Sequence, residues 1–147
     1  MKLMDDYIIS CERELLQIEA IHHYLSIESY WAKGIPLNTV QTSIDNSLCW
    51  GIYHNRQQIG FARVISDYAT FAYLADVYIL EPHRCKGLSK QLMTEIFKHS
   101  ELQNIRRWML LTHDAQEIYR PFGFQSPAFP ERIMEISKPN PYQSSEQ

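Results

Sequence analysis

Three features of this chain could do chemistry. Asp76 is a carboxylate inside the apolar run Leu74-Ala75-Asp76-Val77-Tyr78-Ile79-Leu80. Arg84-Cys85-Lys86-Gly87-Leu88-Ser89 follows the turn marked by Pro82 and sets two cations beside a glycine. Tyr119 supplies a phenol in a later segment. A carboxylate in apolar surroundings can act as a base, anchor a cation, or pair with an arginine such as Arg63. A basic glycine loop that opens a helix can hold an anion. The first turn has N–H groups without internal partners, the helix dipole adds partial positive charge, and Gly87 lets the backbone approach closely. A phenol can give a proton to a leaving group.

These residues need a strand, a loop and a helix to position them. Leu88, Leu92, Met93, Ile96 and Phe97 recur at helical spacing, with Lys90, Gln91, Thr94, Glu95 and Lys98 opposite. Thr70 to Leu80 reads as a strand covered on both faces. Upstream, Tyr7–Ser10 predicts a short strand, and Leu15, Ile18, Ile21, His22 and Leu25 predict a helix. His22 and His23 read as residues of that helix's end rather than ligands. Pro36 opens a second helix with Leu37, Val40, Gln41 and Ile44 on one face. Leu48–His54 and Gln58–Ser66 form a hairpin through Asn55-Arg56-Gln57, and Asp67 and Tyr68 turn the chain into the next strand. Downstream, Arg106–Thr112 reads as a buried strand reached by a parallel crossover. Asp114–Arg120 reads as a short helix ending near Pro121, with short strands expected after Phe124 and over Arg132–Ser137.

The 147 residues predict one domain over 1–137, followed by a flexible tail over 138–147. A net charge of −3 argues against nucleic acid as the main partner. The cationic spot at Arg84 and Lys86 suits a small anion instead. No apolar run approaches the roughly 20 residues of a membrane span, and no secretory signal is evident. Cys11, Cys49 and Cys85 form no CxxC pair, so no metal site is expected and a cytoplasmic location is.

Two motifs carry a resemblance. Arg84-Cys85-Lys86-Gly87-Leu88-Ser89 resembles the [Gln/Arg]-x-x-Gly-x-[Gly/Ala] loop of the GNAT superfamily of N-acetyltransferases. Ala115-Gln116-Glu117-Ile118-Tyr119-Arg120-Pro121-Phe122-Gly123-Phe124 resembles its Ala-x-x-x-Tyr-x-x-x-Gly-Phe motif. The order of elements is similar along nearly the whole chain, and Tyr30 to Ala75 looks like small bacterial members of mostly unassigned substrate. Ser89 departs from the usual Gly or Ala, and Pro121 lies between Tyr119 and Gly123.

The resemblance implies an α/β (α+β) fold: a mixed, mostly antiparallel central sheet flanked by helices, with a V-shaped opening between the fourth and fifth strands. It implies acetyl transfer from acetyl-CoA to a primary amine of a small molecule or peptide, without a covalent enzyme intermediate. Val77, Tyr78 and Ile79 would hold the thioester and the pantetheine arm, with the Ile79 N–H toward the thioester oxygen. Arg84, Cys85, Lys86, Gly87, Leu88 and Ser89 would wrap the pyrophosphate. Tyr119 stands where the family has its general acid, or packs under the cofactor. Asp76 is read as a base or an anchor, with the Arg63-paired carboxylate as alternative, and His113 is a weaker base. Tyr30, Trp31, Tyr68, Phe71 and Tyr73 are expected to wall the acceptor pocket, where aromatics suit a cationic amine. A homodimer is left open. The rival reading is a non-catalytic acyl-CoA sensor or an interaction module on the same fold.

Overall fold

The computed structural model describes residues 6–142. Asn55 and Arg56 both take positive φ, 51° and 68°, the conformation of a two-residue turn that matches strand twist. They join β2 (Leu48–His54) to β3 (Gln57–Ser66), so the turn is one residue tighter than the sequence suggested. β1 (Tyr7–Ser10) pairs antiparallel with β2, and β3 pairs antiparallel with β4 (Phe71–Ile79). β5 (Arg107–Leu110) lies parallel to β4, giving one sheet in the order β1-β2-β3-β4-β5. This is the mixed, mostly antiparallel sheet that the motifs implied.

Side chains alternate across the sheet, so each face carries its own core. On one face, Ile9, Trp50, Ile52, Ala62, Val64 and Leu74 pack with Leu88, Leu92, Met93 and Ile96 of α3 (Leu88–Lys98). The apolar stripe of α3 accounts for that contact. On the other face, Cys49, Phe61 and Tyr78 pack with residues of α1 (Ile18–His23) and α2 (Leu37–Asp45), including Ile21, Val40 and Ile44. α4 (Gln116–Tyr119) is a single short turn of helix.

Several expectations change. Leu15 belongs to a separate 3-10 turn, Arg13–Leu15, and α1 widens into a π-turn over Tyr24–Glu28. His22 ties Nε2 to the Ile35 carbonyl at 2.9 Å and so serves the fold. Pro121 does not end the helix region but opens a 3-10 turn, Arg120–Phe122, where a missing N–H costs nothing. Neither of the two last strands forms among the described residues. A strand needs a partner for its ladder, and beyond Phe124 the described residues form only a 3-10 turn, Pro130–Arg132. Of the expected tail, residues 143–147 lie outside the described residues.

Phe61 is fully buried beside its cross-strand neighbour Tyr78, with ring centroids 6.1 Å apart. Phe61→Ala is expected to cost about 3–5 kcal/mol, read as a lower urea midpoint at unchanged slope.

Candidate active site

The sheet opens where its last two strands part. β4 and β5 pair only over Phe71–Leu74 against Arg107–Leu110. Beyond Leu74, β4 runs on to Ile79 with no strand paired on that side among the described residues. A cleft of about 1160 Å³ occupies the gap, lined among others by Val77, Tyr78, Ile79, Gly87, Ser89 and Tyr119. The Leu80 N–H donates to the Ile59 carbonyl on β3 at 2.8 Å. Successive peptide groups alternate along a strand, so the Ile79 N–H is directed to the other side, into the opening.

The loop after β4 brings a second set of donors. Cys85 (φ 62°) and Gly87 (φ 78°) are both left-handed, and Gly87 caps α3 without a side-chain hydrogen bond. The Gln91 N–H is the first of this helix to reach back, to the Gly87 carbonyl at 3.2 Å. Among the described residues, the N–H groups of 85–90 make no hydrogen bond within the protein. Left-handed residues followed by a helix start form a concave nest of such donors, aided by the dipole. A Cβ built at Gly87 meets nothing within 4 Å, so glycine is needed there for its φ and not for want of space. Lys86 is exposed.

Arg84 departs from its expected role. Its backbone N–H donates to the Glu81 carbonyl at 3.2 Å. Its Nε donates to the Ile79 carbonyl at 2.7 Å and Nη2 to the Tyr24 hydroxyl at 3.3 Å. The guanidinium is thus turned back onto the end of β4 rather than extended from the loop. Tyr24 stacks on Tyr78 with centroids 3.9 Å apart and planes 8° from parallel. Sequence reasoning missed Tyr24; its signal was an aromatic one turn after Ile21 on the inward side of α1. His83 hydrogen-bonds through Nδ1 to the Tyr7 hydroxyl at 2.6 Å.

Asp76 sits in a β-bulge. Asp76 and Val77 together oppose Ala62, because the register steps from Phe61↔Tyr78 to Arg63↔Ala75. The residue takes φ 56°, which Asp tolerates better than most. Arg63 Nε meets its Oδ2 at 2.9 Å, and Trp31 Nε1 donates to its Oδ1 at 2.8 Å. Arg63 also donates from Nη1 to the Ser47 hydroxyl at 3.1 Å. Both carboxylate oxygens are therefore engaged. The ion pair is well shielded, with side chains only 15% and 11% exposed.

The loop before α2 spans the mouth of the V. Trp31 reaches β4 through Asp76, while the Tyr30 hydroxyl accepts the His113 N–H at 3.2 Å, just past β5. Tyr30 and Trp31 meet edge to face at 5.0 Å. Tyr73 also lines the cleft. Tyr68 and Phe71 do not. Asp67 accepts the N–H groups of Ala69, Thr70 and Phe71 and the Thr70 hydroxyl, and this tight turn carries both aromatics to the far end of the hairpin. Those bonds, that from the Thr70 N–H foremost, hold the Asp67 carboxyl well below the usual range.

Tyr119 is 8% exposed, and its hydroxyl makes no hydrogen bond among the described residues. Burial, with a smaller push from Tyr30, raises its pKa to about 12. The phenol stays protonated at any pH a cell uses, as an acid must. The His113 imidazole also lacks a hydrogen bond among the described residues, although its ring stands 5.7 Å from that of Tyr30.

Comparison with known proteins fits this geometry. The sequence profile of the acetyltransferase (GNAT) family matches residues 18–124. The chain belongs to the GNAT acetyltransferase family. A candidate acetyltransferase of Gibberella zeae is 32% identical, over 78% of this chain and 76% of its own. A crystal structure from Xanthomonas campestris pv. campestris, described as a candidate GNAT acetyltransferase, is 48% identical with a TM-score of 0.91, covering 94% of this chain and 97% of that one. A candidate acetyltransferase of Clostridium acetobutylicum, solved with acetyl-CoA, shares the fold at 15% identity and a TM-score of 0.66, covering 90% and 95%.

Two outcomes follow. Asp76→Ala strands a shielded Arg63 and is expected to cost about 3 kcal/mol, whereas replacing both by leucine should cost clearly less than the sum of the single changes in a double-mutant cycle. Burial also raises the Cys49 thiol to about 12, and raises the Tyr53 and Tyr78 phenols. The folded state then keeps protons that the unfolded chain releases from about pH 9 upward. Stability is expected to be unaffected by these groups below pH 9 and to fall steadily toward pH 12. Denaturant titrations at stepped pH check this, and Tyr119→Phe should lessen the slope above pH 10.

Proposed function

We propose that the protein transfers the acetyl group of acetyl-CoA to a primary amine of a small molecule or peptide. The observation that carries this reading is the pairing of the Ile79 N–H, aimed into the V, with the free N–H groups of 85–90 at its end. One set suits a thioester oxygen and the other a diphosphate. Acetyl-CoA supplies the activated acyl carbon when bound, and the fit rests on these donors. Val77 and Tyr78 offer the rest of a splayed strand to an extended pantetheine arm. The Ile79 N–H stabilises charge that grows on the thioester oxygen, an effect worth ~3 kcal/mol for a well-placed donor. Cys85, Lys86, Gly87, Leu88 and Ser89 hold the diphosphate through backbone N–H groups. Arg84 acts indirectly, by fixing the Ile79 peptide.

As the amine nitrogen bonds to the acyl carbon, the carbon–sulfur bond breaks. Tyr119 is placed to give its proton to the leaving sulfur. The amine must lose a proton, and Asp76 and His113 are among the acceptors that line the cleft. Because both oxygens of Asp76 are engaged, Asp76 is assigned to holding Trp31 and the bulge. The His113 imidazole then takes the proton, directly or through water. Tyr30, Trp31 and Tyr73 wall the amine's approach and suit a cationic or apolar acceptor.

The test is CoA-thiol release by the purified protein across an amine panel, beside acetyl-CoA binding by calorimetry. Tyr119→Phe is expected to lower kcat by ~10²-fold or more with binding unchanged. Gly87→Glu, which sets a carboxylate in the nest, is expected to raise Kd at least ~10-fold. Tight binding with no turnover on any amine would instead support the sensor reading.

A further inference from the structure

Beside the nest, the end of the sheet holds three rings that the proposed chemistry does not use. Tyr7 of β1 stands opposite His54 of β2 in the antiparallel register, and their ring centroids lie 4.6 Å apart. His83 belongs to the 3-10 turn Glu81–His83 that follows β4, and it meets both. Its ring stands edge-on to that of Tyr7, 5.6 Å between centroids, and 5.3 Å from that of His54. Tyr7 is buried, so the imidazole that it holds is fixed in place.

His83 also lines the cleft, together with Arg84, Cys85, Gly87 and Ser89. Its Nδ1 is committed to the Tyr7 hydroxyl, and its Nε2 makes no hydrogen bond among the described residues. A tyrosine hydroxyl can donate or accept, so this contact survives either charge state of the ring. A neutral imidazole accepts the Tyr7 proton at Nδ1 and carries its own at Nε2. A charged one carries a proton on each nitrogen.

The surroundings make that charge conditional. The ring faces Tyr7 from β1, His54 from β2 and Lys86 within its own loop. Of its sequence neighbours, Glu81 opens the same turn, and Arg84 spends its guanidinium on the Ile79 carbonyl and the Tyr24 hydroxyl. Burial first, then His54 and Lys86, hold the His83 imidazole below the ordinary histidine value. At neutral pH the free protein therefore keeps it uncharged. A diphosphate on the N–H groups of 85–90 reverses the balance. It brings negative charge into the cleft that His83 lines, and a nearby opposite charge favours the imidazolium.

We propose that His83 is a further binding residue for the cofactor, whose imidazole takes up a proton from solvent as the diphosphate enters. This rests on the acetyl-CoA reading of the cleft. Lys86 and Lys90 stay charged across the physiological range, so His83 is the group that makes the grip depend on pH. Affinity is highest where the free ring is already charged. It falls as pH rises through the titration of the bound ring, by at most about tenfold per pH unit.

Calorimetry of the full chain with acetyl-CoA near neutral pH, in buffers of different ionisation enthalpy, counts the proton. Net uptake is expected, with Kd rising as the pH is raised. The 3′-phosphate of the cofactor also titrates, at about pH 6. Acetyl-dephospho-CoA, which lacks that phosphate, is therefore run alongside and should show the same uptake. His83→Gln keeps a partner for Tyr7 but cannot become charged. It is expected to lose the uptake and to flatten the dependence of Kd on pH. In the unaltered protein, an NMR titration of the His83 ring should show its pKa rising at saturating acetyl-CoA, a check that needs no substitution. Binding without proton uptake, uptake that vanishes with the dephospho compound or persists undiminished in His83→Gln, or a His83 pKa equal in the two states would overturn this proposal alone. A protein that binds no acetyl-CoA at any pH would overturn it together with the reading on which it rests.

Discussion

A peptide group that loses its sheet neighbour must hydrogen-bond elsewhere, and this constraint organises the molecule. β5 stops pairing at Leu110, while β4 continues for five residues to Ile79. The N–H and C=O groups left over face a cleft rather than a strand. Water satisfies them at little net cost, and an extended ligand can replace that water with a ladder of its own. The loop that follows repeats the theme. Its left-handed residues, Cys85 and Gly87, prevent its amides from folding into turns, and α3 begins too late to use them. Donors are abundant along one path, and each is held by the fold rather than by a side chain.

What keeps the path in shape is a second layer of contacts behind it. Tyr24 stacks on Tyr78, whose cross-strand neighbour is Phe61, and Arg84 closes this cluster by bridging the Tyr24 hydroxyl to the Ile79 carbonyl. The bulge at Asp76 does the same on the acceptor side. Its left-handed φ is a local cost of order 1 kcal/mol. The Arg63 pair and the Trp31 hydrogen bond offset it and tie the strand to the aromatic loop. Asp76 and Arg84, both charged and both bonded to or within the unpaired stretch of β4, thus serve its geometry first.

Much of this was legible in the residues, for physical reasons. The stripe of α3, the hairpin and the glycine loop announce themselves through spacing and composition, because the determinants at those positions are local. The family motifs then supplied the V. Other features depend on partners that spacing does not reveal. The direction of the Arg84 side chain depends on Tyr24, sixty residues away. Tyr68 and Phe71 read as pocket walls because aromatics near a site suggest one, yet the Asp67 turn takes them elsewhere. Arg132–Ser137 has the composition of a strand, but a strand exists only in a pairing, and among the described residues this one has none. Asp76 was a fair signal: a charge within an apolar strand pointed to the Arg63 ion pair, although not to the bulge that only the register reveals.

The central claim is that the Ile79 amide and those of 85–90 are reserved for one ligand. Amide exchange measured residue by residue, with and without saturating acetyl-CoA, tests it most directly. The account predicts that Ile79 and residues 85–90 slow strongly on binding, while amides already paired in β2 and β3 do not change. Binding that leaves those amides as fast as before would contradict it.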